Sequence, residues 1–249
     1  MQSTSITTIT KLSIIIPCYN EERYVRRVLN RVKDVQLNYN LDKQIIVVND
    51  GSADNTQNNI EKFIAENPTV SILNLVHEKN KGKGSSIKTA LAHVTGQLVV
   101  VQDADLEYHP EDFNLLLQPI MEGSADVVVG SRFKGDGPHK GPFILHKLVN
   151  KVYTFISNRL TNQHLSDIHS CYKLFKTDLL KREMIEEERF GFDPEIIAKL
   201  SKRKDVRIRE VGISYEGRNF TDGKKIDFID GFRAFYCIIR YNLFPKNNP

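Results

Sequence analysis

Short β-branched runs alternate with longer segments of helical periodicity through the first half of this chain, and this alternation constrains its fold most. The runs are KLSIII, QIIVVN, VSILNLV, QLVVVQD and ADVVVGS, and helical spacing fills residues 21–35, 54–65, 85–94 and 110–121. Alternating strands and helices predict βαβ units and a mostly parallel sheet. Runs that are apolar throughout predict strands covered on both faces. Since ligands of such sheets bind beyond the carboxyl ends of the strands, the residues after each run are the first site candidates.

The second half departs from this alternation after about Gly130. The stretch FKGDGPHKGP predicts a mobile loop, because glycine, proline and charged residues dominate it. Helices are expected over 143–160 and 194–201, strands at CYKLFK and VRIREVGISY, and a further helix in KIDFIDGFRAFYCIIRYNLF. We therefore expect a single α/β domain over residues 1–220 and a C-terminal amphipathic segment over 221–249.

The net charge argues against a nucleic-acid partner, and the cysteines argue against disulfide and zinc sites. A net charge of +4 on 249 residues is only mildly basic, whereas a dedicated nucleic-acid binder would concentrate more positive charge. Cys18, Cys171 and Cys237 are odd in number and scattered, so they predict neither a disulfide framework nor a zinc site. No nucleic-acid partner is expected.

No uninterrupted apolar run reaches the ~20 residues that cross a bilayer. The nearest candidate, FILHKLVNKVYTFI, contains His146, Lys147, Asn150 and Lys151, which predicts an amphipathic helix. The N-terminal MQSTSITTITK is polar and shows no apolar region of a signal peptide. A cytoplasmic location is therefore expected.

Polar clusters follow the first two predicted strands, as PCYNEE and NDGSADNT. One interpretation is structural: Asp50 and Gly51 turn the chain, and Asp54 caps the next helix. The other is that both clusters line a ligand site, because they lie at the same edge of adjacent strands.

A glycine-rich segment, HEKNKGKGSSIKTAL, follows the third strand. Its GKGSS is similar to a phosphate-binding P-loop, but the spacing of that motif is not met. The segment fits a plain helix start equally well as a site where Lys83 reaches a nucleotide and the glycines allow close backbone approach.

Three acids follow the fourth strand at every second position: Asp103, Asp105 and Glu107. In an extended segment such residues project to one side, so they would converge. Converging carboxylates raise one another's pKa unless a cation lies among them, and hard oxygen ligands suit Mg²⁺ or Mn²⁺. The alternative is a solvated acidic loop. A position directly after a buried strand favours a metal-diphosphate site.

The ordered segments SIIIPCYNE, VVNDGSADNT, NKGKGSSIKTAL, QDADLE, GSRF, SDIHSCYKLF, RFGFDPEI and YEGRNFTDGKKI together carry a resemblance. The chain resembles the inverting family-2 glycosyltransferases of the GT-A fold, close to the dolichyl- and polyprenyl-phosphate hexosyltransferases of the dolichyl-phosphate mannose synthase type. The resemblance implies a donor half over about 10–132 and an acceptor half over about 133–220. It also implies a nucleotide-diphosphate sugar donor of the GDP-mannose or UDP-glucose type and a lipid phosphate acceptor.

The resemblance also implies binding roles for individual residues. By it, the base and ribose are held by Pro17, Tyr19, Asn20, Glu21 and Asp50, and the nucleotide is also contacted by Lys83 and Asp103. Metal ligation falls to Asp105 and Glu107, with Asp103 beside them, and phosphate binding to Arg132, Lys173, Arg218 and Lys225. The family often has Gln at the position of Glu107, and it often has Arg at the position of Lys173, whose amine lacks the bidentate fork of a guanidinium.

The expected chemistry is departure of a diphosphate from the anomeric carbon. A divalent ion on Asp105, with Arg132 nearby, would stabilise the charge on the leaving group. A lipid phosphate is already an oxyanion, so it needs positioning more than proton removal. Asp193 and Glu195 are expected to shape the acceptor site, and they are the base candidates if the acceptor is a hydroxyl.

Two alternatives share the donor site: a family-2 transferase that acts on a sugar hydroxyl, and an inactive nucleotide-sugar-binding adaptor. A lipid acceptor also requires contact with a membrane surface or with a membrane protein. Aromatic residues at helical spacing in 228–239, with basic flanks, fit a helix at the cytoplasmic face of a membrane, and they fit a helix packed on the core equally well.

Overall fold

The computed structural model describes residues 9–134, 139–140, 144–180, 185–218 and 228–244. The strands are β1 (Lys11–Cys18), β2 (Asp42–Asn49), β3 (Ile72–Val76), β4 (Leu98–Val101), β5 (Val127–Ser131), β6 (His139–Lys140), β7 (Lys173–Lys176), β8 (Ile208–Gly212) and β9 (Tyr215–Glu216). The helices are α1 (Val25–Asp34), α2 (Thr56–Glu66), α3 (Lys83–Leu91), α4 (Phe113–Met121), α5 (Ile144–Thr161), α6 (Phe192–Ser201) and α7 (Phe228–Leu243). Short 3₁₀ turns occupy Asn38–Asn40, Pro110–Asp112 and Thr177–Leu179.

Seven strands form one mostly parallel sheet in the order β3-β2-β1-β4-β7-β5-β8, which confirms the predicted α/β class. In its parallel part, Ile14 of β1 pairs with Ile45 of β2 on one side and with Val100 of β4 on the other. Strand β7 runs antiparallel to both β4 and β5. A separate two-stranded ladder joins β6 to β9.

Burial follows the position of each strand in the sheet. Every residue of β4 and β5 is buried, as expected for central strands that helices cover on both faces. Strand β3 lies at the edge, and its last residue, Val76, is 56% exposed. Its β-branched residues therefore support strand formation without contributing much to the core.

An ion cluster holds the inserted strand β7 against its neighbours. The carboxylate of Asp126, just before β5, accepts from Lys176 Nζ at 2.6 Å and from Arg207 Nε at 2.9 Å. Lys176 ends β7 and Arg207 precedes β8, so one carboxylate joins three elements at the amino end of β5.

The C-terminal helix α7 both packs on the body of the protein and exposes aromatic rings. Ala234, Cys237 and Tyr241 are buried, whereas Phe232 and Phe235 are exposed. One side of this helix therefore packs on the core, which was one of the two alternatives that the sequence left open. No helix within the described ranges has the length and apolar character that a membrane crossing needs.

Candidate active site

A cavity of about 470 Å³ opens at the edge of the sheet where the parallel strands β1, β2, β4 and β5 end. Most residues that the sequence predicts for the site line it: Pro17, Tyr19, Glu21, Asp50, Lys83, Asp103, Asp105, Glu107, Arg132, Asp193 and Arg218. Three others, Asn20, Lys173 and Glu195, are not among its lining residues. Lys225 lies outside the described residues.

The acidic segment does not continue as an extended strand. Strand β4 ends at Val101, and residues 104–108 form turns in which Leu106 has φ +62°. The three acids therefore do not alternate along an extended segment, although all of them line the cavity and the pKa of Asp105 is raised by the charges of both Asp103 and Glu107. The Glu107 carboxylate accepts from the hydroxyl of Tyr215 at 2.9 Å and from the backbone N–H of Arg218 at 2.7 Å. Within the described residues, no cluster of three metal-ligating side chains is preformed.

The carboxyl of Asp105 has a strongly raised pKa. Burial, together with the charges of Glu107 and Asp103, raises the pKa of its carboxyl to about 8, while Arg218 opposes the rise. The guanidinium NH2 of Arg218 lies 3.1 Å from Asp105 Oδ2. A buried excess of carboxylate oxygens favours an added cation with hard-ligand preference, so Asp103 and Asp105 fit Mg²⁺ or Mn²⁺.

Lys83 opens α3 and faces the cavity. Its ammonium lies 2.8 Å from Asp103 Oδ1. Burial lowers the pKa of Lys83, but the charges of Asp103, Cys171 and Asp193 and the hydrogen bond to Asp103 together outweigh it and hold the pKa well above its usual value. Gly82, with φ +98°, packs against the backbone of Glu188, so the fold itself requires a glycine here, and the approach of this segment to a nucleotide stays a prediction.

Asp50 is held in a fixed orientation at the β2 end of the cavity. Its carboxylate accepts from His77 Nδ1 at 2.6 Å and from the backbone N–H groups of Lys81 at 2.9 Å and Gly82 at 2.7 Å. Asp54 instead accepts from the N–H of Thr56 at the start of α2. The structural interpretation therefore describes Asp54, and the ligand role of Asp50, which lines the cavity, stays a prediction.

Asn20 and Glu21 differ in what they contact. Asn20 has φ +48°, and its side chain accepts from the N–H of Ala53 at 2.8 Å, which is a structural contact between two loops. Glu21 lines the cavity, and its Oε2 lies 3.3 Å from a guanidinium nitrogen of Arg218.

Arg132 follows β5 and is held by a fully buried carboxylate. Its Nε and NH2 donate to Asp167 at 2.7 and 2.9 Å, and its guanidinium lies 5.2 Å from the ring centre of Tyr215. A bidentate pair of this kind fixes the cation in place. Asp167 was not predicted, although it lies in SDIHSCYKLF.

The remaining predicted residues form a second layer. Lys173 is fully buried and donates to Asp193 Oδ1 at 2.6 Å and to the carbonyl of Ser170. It reaches the cavity only through Asp193. Glu195 is also fully buried, and it accepts from the N–H groups of Glu186 and Glu187 and from Lys199 Nζ at 2.6 Å. The structure therefore places Glu195 away from the cavity, in a supporting contact.

Several lining residues had no sequence signal of their own, among them Tyr108, His169, Cys171, Arg189 and Phe190. His169 and Cys171 lie just before β7, whose insertion next to β4 brings them to the acidic segment. Predicting these two residues would have required knowing that β7 pairs with β4.

Comparison with known proteins agrees with the geometry. The family model for glycosyl transferase family 2 matches residues 13–183. A UDP-N-acetylglucosamine–dolichyl-phosphate N-acetylglucosaminyltransferase of Methanococcus voltae is 30% identical over 241 residues, covering 91% of this chain and 94% of the relative. A dolichyl-phosphate beta-glucosyltransferase of Trichomonas vaginalis is 31% identical over 252 residues, covering 94% and 74%.

Solved structures share the fold. Glucosyl-3-phosphoglycerate synthase from Mycobacterium tuberculosis in complex with UDP superposes with a TM-score of 0.72 at 17% identity, covering 96% of this chain and 82% of that one. The same enzyme with Mn²⁺, UDP and phosphoglyceric acid gives a TM-score of 0.70 at 17% identity, covering 96% and 80%. With the sequence match above, these findings show that the chain is a glycosyltransferase that belongs to glycosyl transferase family 2 and has the GT-A fold.

Proposed function

We propose that this protein transfers a hexose, with inversion, from a nucleoside-diphosphate sugar to a polyprenyl phosphate such as dolichyl phosphate. The observation that carries the proposal is one cavity in which Asp103 and Asp105 face Lys83, Arg132 and Arg218. Such a cavity suits the diphosphate of a sugar nucleotide next to the phosphate group of a second ligand. The two dolichyl-phosphate glycosyltransferases to which the chain is similar support a dolichyl phosphate acceptor.

The donor is proposed to lie across the carboxyl edge of residues 10–132, with the acceptor entering from residues 133–220. Pro17, Tyr19, Glu21 and Asp50 form the end of the cavity nearest β1 and β2 and would take the nucleoside. The UDP-N-acetylglucosamine donor of the Methanococcus voltae relative and the glucosyl group transferred by the Trichomonas vaginalis relative favour a UDP sugar of the glucose series over GDP-mannose.

The cofactor is proposed to be Mg²⁺ or Mn²⁺, held by Asp105 and Asp103. When bound, it would supply a Lewis acid that stabilises charge on the departing diphosphate. Lys83 keeps Asp103 ionised and adds positive charge near the same phosphates. Glu107 accepts from the backbone N–H of Arg218, so it positions that arginine.

The acceptor side favours an oxyanion over a hydroxyl. A hydroxyl acceptor needs a free carboxylate base, but Asp193 Oδ1 is already paired with Lys173, and Glu195 lies outside the cavity. Arg132, held rigidly by Asp167, offers a fixed cation for a phosphate. A lipid phosphate therefore suits the residues present better than a sugar hydroxyl does.

A polyprenyl acceptor requires contact with a bilayer, and an apolar surface supports this. We define the α5–α7 patch as the exposed side chains Leu148, Val152 and Phe155 of α5 with Phe232, Phe235 and Tyr236 of α7. The two helices adjoin, since the ring centres of Tyr153 and Phe235 are 5.8 Å apart. We propose that this patch rests peripherally on the cytoplasmic face of a membrane.

A transfer assay with two kinds of acceptor tests the function. The protein is incubated with Mn²⁺ and labelled UDP-glucose, UDP-N-acetylglucosamine or GDP-mannose, with either polyprenyl phosphate in detergent or an oligosaccharide. The account expects label in the lipid fraction, and loss of that label in the Asp105→Ala variant. Label on the oligosaccharide alone would identify a hydroxyl transferase, and donor binding without transfer or hydrolysis would identify an adaptor.

A further inference from the structure

A chain of hydrogen bonds beside the cavity fixes the tautomer of His169. The carboxylate of Asp167, paired with Arg132, can only accept, so the amide NH₂ of Asn150 must donate to it, at 3.0 Å. The amide oxygen of Asn150 then faces Nδ1 of His169 at 2.9 Å. Nδ1 therefore carries the hydrogen, and Nε2 presents a bare lone pair.

Nε2 of His169 is buried and has no hydrogen-bond partner among the described residues. His169 lines the cavity. Burial lowers the pKa of its imidazole to about 4, with the charges of Asp193 and Asp167 opposing, so the ring is neutral near pH 7. A buried acceptor without a partner is costly, so this atom suits a hydrogen-bond donor on a ligand.

The order of the strands indicates which part of the ligand lies there. Asp50 follows β2, the acids Asp103 and Asp105 follow β4, and His169 precedes β7, on the far side of β4 from β2. A donor with its nucleoside over β1 and β2 and its diphosphate at β4 would place its hexose beside β7. The diphosphate of a sugar nucleotide and an isoprenoid tail carry no hydrogen-bond donors near neutral pH, and a lipid phosphate with a second pKa of about 6 is mostly deprotonated, whereas a hexose carries several hydroxyl groups.

We propose that Nε2 of His169 accepts a hydrogen bond from a hydroxyl group of the hexose being transferred, and thereby helps to select the sugar. This inference rests on the proposed function. It concerns binding and not proton removal, because so weak a base would contribute little as a general base.

The test compares binding of nucleoside diphosphate with binding of the sugar nucleotide, by calorimetry with Mn²⁺. His169→Leu removes the acceptor, His169→Gln offers an amide oxygen near the place of Nε2, and His164→Leu, an exposed histidine on the same segment, is the matched control. We expect His169→Leu to weaken sugar-nucleotide binding roughly three- to tenfold without changing the affinity for the diphosphate. His169→Gln should retain most of the affinity, and His164→Leu all of it.

Monodeoxy donors identify the hydroxyl. The wild-type protein should bind one deoxy analogue worse by a similar factor, and His169→Leu should not distinguish that analogue from the parent sugar. If His169→Leu discriminates among all analogues as the wild type does, the inference is wrong while the proposed function stands. If the wild type binds no nucleoside diphosphate, both are wrong. Should the leucine variant unfold, His169→Asn, which is too short to reach the Nε2 position, should show the loss instead.

Discussion

Arg218 shows how single residues control charge in this cavity. Its guanidinium lies 3.3 Å from Glu21 and 3.1 Å from Asp105, and its backbone N–H contacts Glu107. Among the described residues, this one guanidinium faces three carboxylates, while Lys83 is paired with Asp103. The charges of Glu107 and Asp103 help to raise the pKa of Asp105, and a divalent ion at the acidic end of β4 would relieve this repulsion.

Arg132 gives a prediction at the residue scale. Arg132→Lys keeps the charge but loses the two-point contact with Asp167, so the cation should become less well positioned. We expect kcat/KM for transfer to fall roughly 10- to 100-fold, measured with donor and polyprenyl phosphate at saturating metal.

The matched control is Arg207→Lys. Arg207 makes a similar bidentate contact with Asp126, but it lies outside the cavity lining. This variant should lose some thermal stability and keep its kcat/KM. Equal activity losses in the two variants would show that the effect of Arg132 is structural.

Residue chemistry explains what the sequence could and could not predict about the site. Acids and lysines directly after predicted strands, such as Asp50 and Asp105, were found because strand ends are local features. Glu195 was expected beside Asp193, but both lie in α6, and side chains two apart in a helix do not share a face. His169 was missed because its place depends on pairing between distant segments.

At the scale of elements, β7 explains most of the difference between expectation and structure. The run CYKLFK was predicted as a strand, but its antiparallel insertion between β4 and β5 has no local signal. The early end of β4 likewise depends on the turns after Val101, and those turns, not an extended strand, carry Asp105 and Glu107 to the cavity. Strand existence follows from periodicity, whereas strand order follows from contacts across the whole chain.

Asp126 gives a prediction for the cohesion of these elements. Hydrogen bonds from Arg207, with Lys176 adding and burial opposing, hold the pKa of its carboxyl below the ordinary value of 3.8. A lowered folded-state pKa stabilises the fold above the ordinary pKa, and this contribution is lost as pH falls through the folded value. We expect Asp126→Asn to lower Tm by roughly 2–6 °C at pH 7, since its partners are half-exposed and screened.

The pH series is the check on this prediction. The Tm difference between wild type and Asp126→Asn should be constant from pH 5 to 7, roughly, and should shrink below about pH 4. A difference that persists unchanged at pH 2 would show that packing, and not the charge of Asp126, holds β7 in place.

A second element prediction concerns the contact between α3 and the segment around Glu187. A Cβ atom at Gly84 would fall inside the contact distance of the Glu187 carbonyl oxygen, so Gly84→Ala must displace backbone that borders the cavity. We expect a loss of about 1–3 kcal/mol in the free energy of unfolding in urea, together with weaker donor binding.

Gly231 in α7 provides the control, because nothing lies within 4 Å of a Cβ placed there. Gly231→Ala should raise the free energy of unfolding by up to about 1 kcal/mol through helix propensity. If both alanine variants are neutral, the packing of α3 against this segment is looser than the structure shows.

At the scale of the whole molecule, the donor cavity and the α5–α7 patch belong to one body, with α7 tied to the segment before α6. Arg233 of α7 donates to Glu187 at 2.8 Å, and Tyr241 donates to the same carboxylate at 2.9 Å. The α/β class and the family were predictable from the sequence because they rest on ordered local motifs. For α7, the sequence could not decide between a helix with an exposed aromatic side and a helix packed on the core.

The α5–α7 patch gives the prediction at this scale. Phe155 and Phe232 are 66% and 75% exposed, and inserting either ring into a bilayer interface should gain about 1.5–3 kcal/mol. Phe155→Ser and Phe232→Ser should each reduce partitioning onto anionic vesicles by about tenfold or more, measured by flotation. Leu115→Ser, at a 44% exposed position outside the patch, should bind vesicles as the wild type does. Equal binding by all three variants would remove the patch from the account.

The proposed function depends most on a divalent ion at the acidic end of β4 that would join the protein to the two phosphoryl groups of a sugar nucleotide. Anomalous diffraction from crystals grown with Mn²⁺ and the donor tests it most directly. We expect a manganese peak bonded to the Asp105 carboxylate and to the diphosphate, with the nucleoside beside Asp50. A peak elsewhere, or a nucleotide bound in this cavity with no metal at Asp105, would contradict it.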